Sequence, residues 1–107
     1  MSIDETRVVD VLSIDANTKE VVLTITDHLP WQSDGHLMLL QNKLNCYLAF
    51  VESGEILESY PDARGKSVRI DVVCKYAPDI QADSFLVKSA GIIRNGGYGL
   101  SWRVHLA

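Results

Sequence analysis

The sequence is short of cysteine, of basic clusters and of long apolar runs, and each shortage excludes a class of protein. Its two cysteines, Cys46 and Cys74, are far apart and have no CxxC spacing, which argues against a disulfide scaffold and against a zinc site. No apolar stretch approaches the roughly 20 residues of a membrane-spanning helix. The first ten residues, MSIDETRVVD, contain no apolar signal segment. We therefore expect a cytoplasmic protein without a membrane partner.

Basic residues are outnumbered and scattered. The chain has 10 Lys and Arg against 14 Asp and Glu, a net charge of −4, and no run of Lys or Arg. This argues against nucleic acid as a partner. Apolar residues make up 47% of the 107 residues, which is enough to build a core. Without a linker, repeat or low-complexity segment, we predict a single domain over residues 1–107, with residues 1–6 as a flexible tail.

The longest stretch with one clear period, residues 33–53, predicts a central helix. Its core-facing stripe is expected to contain Leu37, Leu40, Leu44, Tyr47, Leu48 and Val51. Ser33 or Asp34 is expected to cap the first turn through a side-chain oxygen. Gly54 follows the last periodic residue and suits a left-handed helix end.

A second apolar cluster on this helix, formed by Leu39, Cys46 and Phe50, lies well away from the core stripe. One interpretation is that a neighbouring helix covers it. The other is an exposed patch that pairs with a second copy or with another protein. The second interpretation predicts a homodimer in solution, and a Phe50→Glu substitution would split it.

The rest of the chain alternates strands and helices. Strands are predicted at residues 7–14, 20–26, 66–76 and 98–106, a second long helix at 79–94, and a single helical turn in EILESYP. The polar turn at 15–19 makes the first two strands an antiparallel hairpin. The second long helix should bury Ala82, Phe85, Leu86, Ser89, Ile92 and Ile93. The last strand should point Leu100, Trp102, Val104 and Leu106 inward.

This ββαβαβ order, with alternation in the last two strands, predicts one packed and one solvated face of the sheet. We predict an α+β fold, a two-layer sandwich in which a four-stranded sheet carries two helices on one face. The order of the strands in the sheet stays open.

Three segments together resemble a family of small bacterial domains of unknown function: DHLPW, HLMLLQNKLNCYLAFVESGEI and YPDARGKSVRIDVV. The resemblance extends from the first hairpin to NGGYGL and so covers most of the chain. It implies a bacterial, cytoplasmic, single-domain protein. It carries no catalytic residue over to this sequence.

The strand-to-helix junction is the best candidate for a site, because Asp27, His28, Trp31 and His36 fall there within ten residues. A histidine beside a carboxylate can serve as a general base, and a helix start can bind a small anion. The alternative is structural: Asp27 completes a turn, Trp31 packs on the helix and the histidines are exposed.

Other chemistry has little support. The three histidines do not have metal-ligand spacing, and NGGYG follows a helix, whereas phosphate loops precede one. We predict no metal, no cofactor and no catalytic residue. The solvated face of the sheet should carry Thr24, Arg69, Asp71, Arg103 and His105, either as ordinary surface or as a polar binding face.

These observations favour a non-enzymatic protein-interaction module whose partner is a second copy of itself or another protein. The alternative is a small-ligand binder or an enzyme whose site is the junction from Asp27 to His36.

Overall fold

A computed structural model of the protein describes residues 11–105. Its elements, in chain order, are β1 (Val11–Ile14), β2 (Val21–Asp27), α1 (His36–Glu52), α2 (Glu55–Ser59), β3 (Val68–Cys74), α3 (Ile80–Asn95) and β4 (Gly99–Val104). A 3₁₀ turn at Pro61–Ala63 separates α2 from β3. The predicted strand residues 7–10, Leu106 and the tail at 1–6 lie outside the described residues.

The four strands form one sheet in the order β1-β2-β3-β4. β1 and β2 pair antiparallel as the predicted hairpin, whereas β2, β3 and β4 run parallel to one another. The sheet therefore advances in one direction through two crossover connections. Right-handed crossovers that advance in one direction leave both connecting helices on the same face.

The core agrees with that arrangement. Alternate residues of β2 and β3 are buried on one face, and they form a single cluster with buried residues of α1 and α3. The structure thus confirms the α+β class and the ββαβαβ order. The segment EILESYP is more helical than the single turn predicted for it, because it forms the five-residue helix α2 and leads into the 3₁₀ turn.

The long helices begin in different ways. Asp79 caps α3 through its side chain, whose Oδ1 accepts a hydrogen bond from the backbone N–H of Ala82 at 2.8 Å. The predicted cap of α1 by Ser33 or Asp34 was wrong. The N-cap is Gly35, left-handed with φ of 73°, and no side chain caps the helix.

Two inward positions were also predicted wrongly. Ile92 is 71% exposed, because it lies beside the groove between α3 and α1 rather than over the sheet. Val104 is 40% exposed, because it ends β4, which is an edge strand among residues 11–105. Ala82, Leu86 and Ile93 are buried as predicted.

The buried side of α1 differs in part from its predicted stripe. Leu40, Leu44 and Tyr47 are buried as expected, but the fully buried set also includes two polar residues, His36 and Lys43. Leu37, Leu48 and Val51 are only partly buried. The helix is therefore turned toward the side on which its polar residues lie, which apolar periodicity alone does not reveal.

Candidate functional site

Asp27 and His36 are brought together by the segment that joins β2 to α1. Asp27 is the last residue of β2, and His36 is the first residue of α1. Gly35, in the left-handed region, turns the chain just before the helix, and the N–H of His36 donates to the carbonyl of Ser33 at 3.2 Å. This turn allows the first side chain of α1 to enter the core.

Both ring nitrogens of His36 are engaged. Nδ1 lies 2.9 Å from the carbonyl oxygen of Pro30, and since a carbonyl only accepts, Nδ1 carries the hydrogen. Nε2 lies 2.5 Å from Oδ2 of Asp27, so a single proton lies between these two atoms. Each side chain is 1% exposed.

Trp31 closes the cluster. Its ring stacks on His36 with centroids 4.2 Å apart and planes 8° apart, and its indole N–H donates to the carbonyl of Tyr76 at 2.9 Å. The second carboxylate oxygen of Asp27 accepts from the N–H of Leu29 at 3.2 Å. The polar atoms of the Asp27–Trp31–His36 cluster are therefore hydrogen-bonded within the protein. The cluster ties β2, α1 and the segment after β3 together.

This closure limits the chemistry of the cluster. A general base needs a nitrogen or oxygen within hydrogen-bond reach of a substrate proton. Here the two ring nitrogens already face Pro30 and Asp27, and Trp31 covers one face of the ring. The geometry is that of a buried hydrogen-bonded core unit.

His28 lies apart from the rings of Trp31 and His36. It is exposed and lines an open pocket of about 510 Å³, here called the strand-end pocket. The pocket is lined by Thr26, Asp27, His28, Val73, Cys74, Lys75, Tyr76 and His105. His28 therefore shares this pocket with Asp27 but not with Trp31 or His36, because neighbours along the chain at a strand end point to different sides.

Leu39, Cys46 and Phe50 lie on one flank of α1 and are half-buried. Leu39 and Phe50 pack against the core. Cys46 and Phe50 line an open groove of about 670 Å³, here called the α1–α2 groove, together with Leu12, Ala49, Ser53, Glu55, Ser59 and Tyr60. The second long helix, α3, lies along the opposite flank of α1, beside Leu44 and Leu48.

The open face of the sheet carries a connected set of polar side chains. Asp71 accepts from Ser101 at 2.9 Å and from Nε of Arg103 at 3.1 Å. Arg69 donates to Ser101 at 2.7 Å and to Glu20 at 3.2 Å. The predicted open-face residues are thus neighbours, except that His105 lies beyond the end of β4 in the strand-end pocket. Each charge in the set has a partner of opposite sign.

Lys43 was missed by the sequence analysis. It is fully buried in α1, with Nζ 5.3 Å from the ring centroid of Tyr47. The hydroxyl of Tyr47 donates to the carbonyl of Thr24 at 3.1 Å. The available signal was its spacing, because Lys43 falls one helical turn from both Leu40 and Tyr47.

Residues 11–105 contain neither a cluster of metal-ligating side chains nor a membrane-spanning helix. Within that range, no group of three or more His, Cys, Asp or Glu side chains is placed to hold a metal ion. No helix there has both the length and the apolar character needed to cross a membrane.

The chain was compared with known proteins at three levels. The model of a family of unknown function matches residues 1–106, almost the whole sequence. The chain belongs to that family, DUF6572. Membership confirms the resemblance noted from the sequence to a family without an assigned function. No curated protein and no solved structure matched the chain.

Proposed function

We propose that this DUF6572 chain is a small bacterial, cytoplasmic, non-enzymatic interaction module that pairs with a second copy of itself. The observation that carries the proposal is the α1–α2 groove. There Cys46 and Phe50 stay half-exposed on a helix whose core-facing side is already filled. Half-exposed apolar side chains around an open groove are typical of contact surfaces.

The groove suits pairing between identical chains. A two-fold interface uses the same patch on both subunits, so one patch must supply both a projecting group and a hollow. The half-exposed ring of Phe50 and the open space bordered by Leu12 and Tyr60 belong to the same patch. Each copy therefore offers an aromatic ring to the hollow of the other.

The alternative, a ligand binder or enzyme using Asp27, His28, Trp31 and His36, has weaker support. Asp27 and His36 are hydrogen-bonded to each other and nearly inaccessible to solvent. His28 lies apart from them at the surface. A substrate at this junction would have to open the packed cluster before it met the residues expected to act on it.

Light scattering on a size-exclusion column at two concentrations tests the pairing. We expect a mass near twice 11.9 kDa at the higher concentration, and a single-chain mass for Phe50→Glu. Because Phe50 also packs against the core, Ala49→Glu is the second variant. Ala49 is exposed and lines the same groove, so a charge there blocks contact without emptying the core.

Met38→Glu is the matched control, since Met38 is 60% exposed on the same helix but does not line the groove. Circular dichroism checks that each variant is folded. A single-chain mass at both concentrations would overturn the pairing. So would a dimer that Ala49→Glu leaves intact.

A further inference from the structure

Three basic residues are aligned where the parallel strands end. Asp27, Cys74 and Val104 lie in one row across β2, β3 and β4. The ladder continues by one more row, because the N–H of Lys75 donates to Asp27 and that of His105 donates to Cys74, both at 2.9 Å. The next residues on the three strands are His28, Lys75 and His105.

These three side chains line the strand-end pocket together. All three are exposed. The chain has only three histidines and a net charge of −4, so two of its histidines and a lysine converge on one hollow against the overall charge of the protein. The remaining walls include apolar surface from Val73 and Tyr76.

Two acidic side chains of this region within residues 11–105, those of Asp27 and Asp71, are already paired. Asp27 lines the strand-end pocket, but both carboxylate oxygens are engaged, one with His36 and the other with the N–H of Leu29. Asp71 lies earlier in β3, away from the strand end, and accepts hydrogen bonds from Ser101 and Arg103. The donors of the basic row are therefore not neutralised by these two carboxylates.

We propose that the strand-end pocket binds a small organic anion, with a phosphate or carboxylate on a flat apolar body. Lys75 supplies a positive charge, and His28 and His105 supply ring N–H donors for the anionic group. Val73 and Tyr76 contact the apolar body. The three donors lie at the carboxyl ends of the three parallel strands. This site is separate from the α1–α2 groove and independent of the proposed pairing.

Titration of ¹⁵N-labelled protein with phenyl phosphate and, separately, with benzoate tests the site. We expect saturable shifts of backbone amide signals at residues 26–28, 73–76 and 103–105. Inorganic phosphate carries only the anionic group and benzyl alcohol only the apolar body, so separate titrations with each show what either part contributes to binding. Whichever of phenyl phosphate and benzoate binds more tightly should have a Kd at least about tenfold lower than the Kd of inorganic phosphate or of benzyl alcohol. A tenfold difference in Kd corresponds to about 1.4 kcal/mol. Comparing phenyl phosphate with benzoate shows which anionic group is preferred.

Two variants remove the donors without disturbing the core, because the residues are exposed. Lys75→Gln and the double variant His28→Gln/His105→Gln should each weaken binding by about tenfold or more. Lys88→Gln removes the same charge from α3, at an exposed site in the groove beside α1, and should leave binding unchanged. An absence of saturable shifts, shifts scattered over the surface, or an equal loss in Lys88→Gln would overturn the proposal.

Discussion

His36 occupies a place in the core that an apolar residue would usually take. It is accommodated because Pro30 and Asp27 satisfy its two ring nitrogens and Trp31 covers its face. A buried polar group is tolerated only when such partners are present, since an unpaired one costs roughly 1–3 kcal/mol. The cost of losing a partner therefore shows whether the cluster maintains the fold.

Replacing His36 by alanine should lower the free energy of unfolding by about 3–5 kcal/mol, because it leaves the Asp27 carboxyl buried without its partner. Urea unfolding followed by circular dichroism measures the change. His28→Ala is the matched control, since His28 is exposed, and it should stay within about 0.5 kcal/mol of the wild type. Equal effects of the two substitutions would contradict a structural role for the buried pair.

Among the secondary-structure elements, the ends of α1 depend on glycine conformation. Gly35 and Gly54 flank α1 with φ of 73° and 83°. At Gly54 the chain passes directly from α1 into α2: its N–H donates to Val51 at 3.2 Å, and its carbonyl accepts from Leu57 at 3.0 Å. A residue with a Cβ is strained in this left-handed conformation.

The same substitution should have opposite effects at two glycines. An added Cβ meets nothing within 4 Å at either Gly54 or Gly91, so only backbone conformation distinguishes them. Gly91 lies inside α3, where alanine should raise the free energy of unfolding by about 0.5–1 kcal/mol. Gly54→Ala should lower it by about 1 kcal/mol. Urea midpoints of the two variants check this, and a change of the same sign in both would refute the explanation.

The elements could be predicted from local pattern because each has its own hydrophobic period and is bounded by residues that favour helix ends or turns. Asp79 before α3 and Gly54 after α1 mark helix ends correctly. Local pattern failed where tertiary contacts decide the outcome. Asp27 and His36 were predicted to share the junction, but nothing local shows that the two are buried together beside Pro30. The predicted core-facing stripe of α1 therefore omitted His36.

For the whole molecule, strand order was the quantity that the sequence left open. Short connections and right-handed crossovers restrict a ββαβαβ chain to a few topologies, which is why the fold class could be predicted. Register lies beyond such rules. It is register that places His28, Lys75 and His105 side by side, although they are far apart in sequence. The candidate pocket therefore could not be assembled from the sequence.

Global stability should depend on one buried thiol at alkaline pH. Burial, together with the nearby charges of Asp27 and Asp71, raises the pKa of Cys74 from 9.0 to about 12. Above pH 9 the folded chain retains a proton that the unfolded chain has lost. The stability that comes from this proton is complete below pH 9 and is lost as the pH rises toward 12.

Cys74→Ala removes the titrating group. Below pH 9 the wild type should be more stable than the variant by a constant amount, which reflects the lost packing of the sulfur. Above pH 9 that difference should shrink by up to about 1.4 kcal/mol per pH unit. The lysines, the tyrosines and Cys46 are present in both proteins, so their contributions to the pH dependence of the stability difference cancel. Urea unfolding at pH 8, 9 and 10 measures the difference. A constant value across that range would mean that folding leaves the affinity of Cys74 for its proton unchanged.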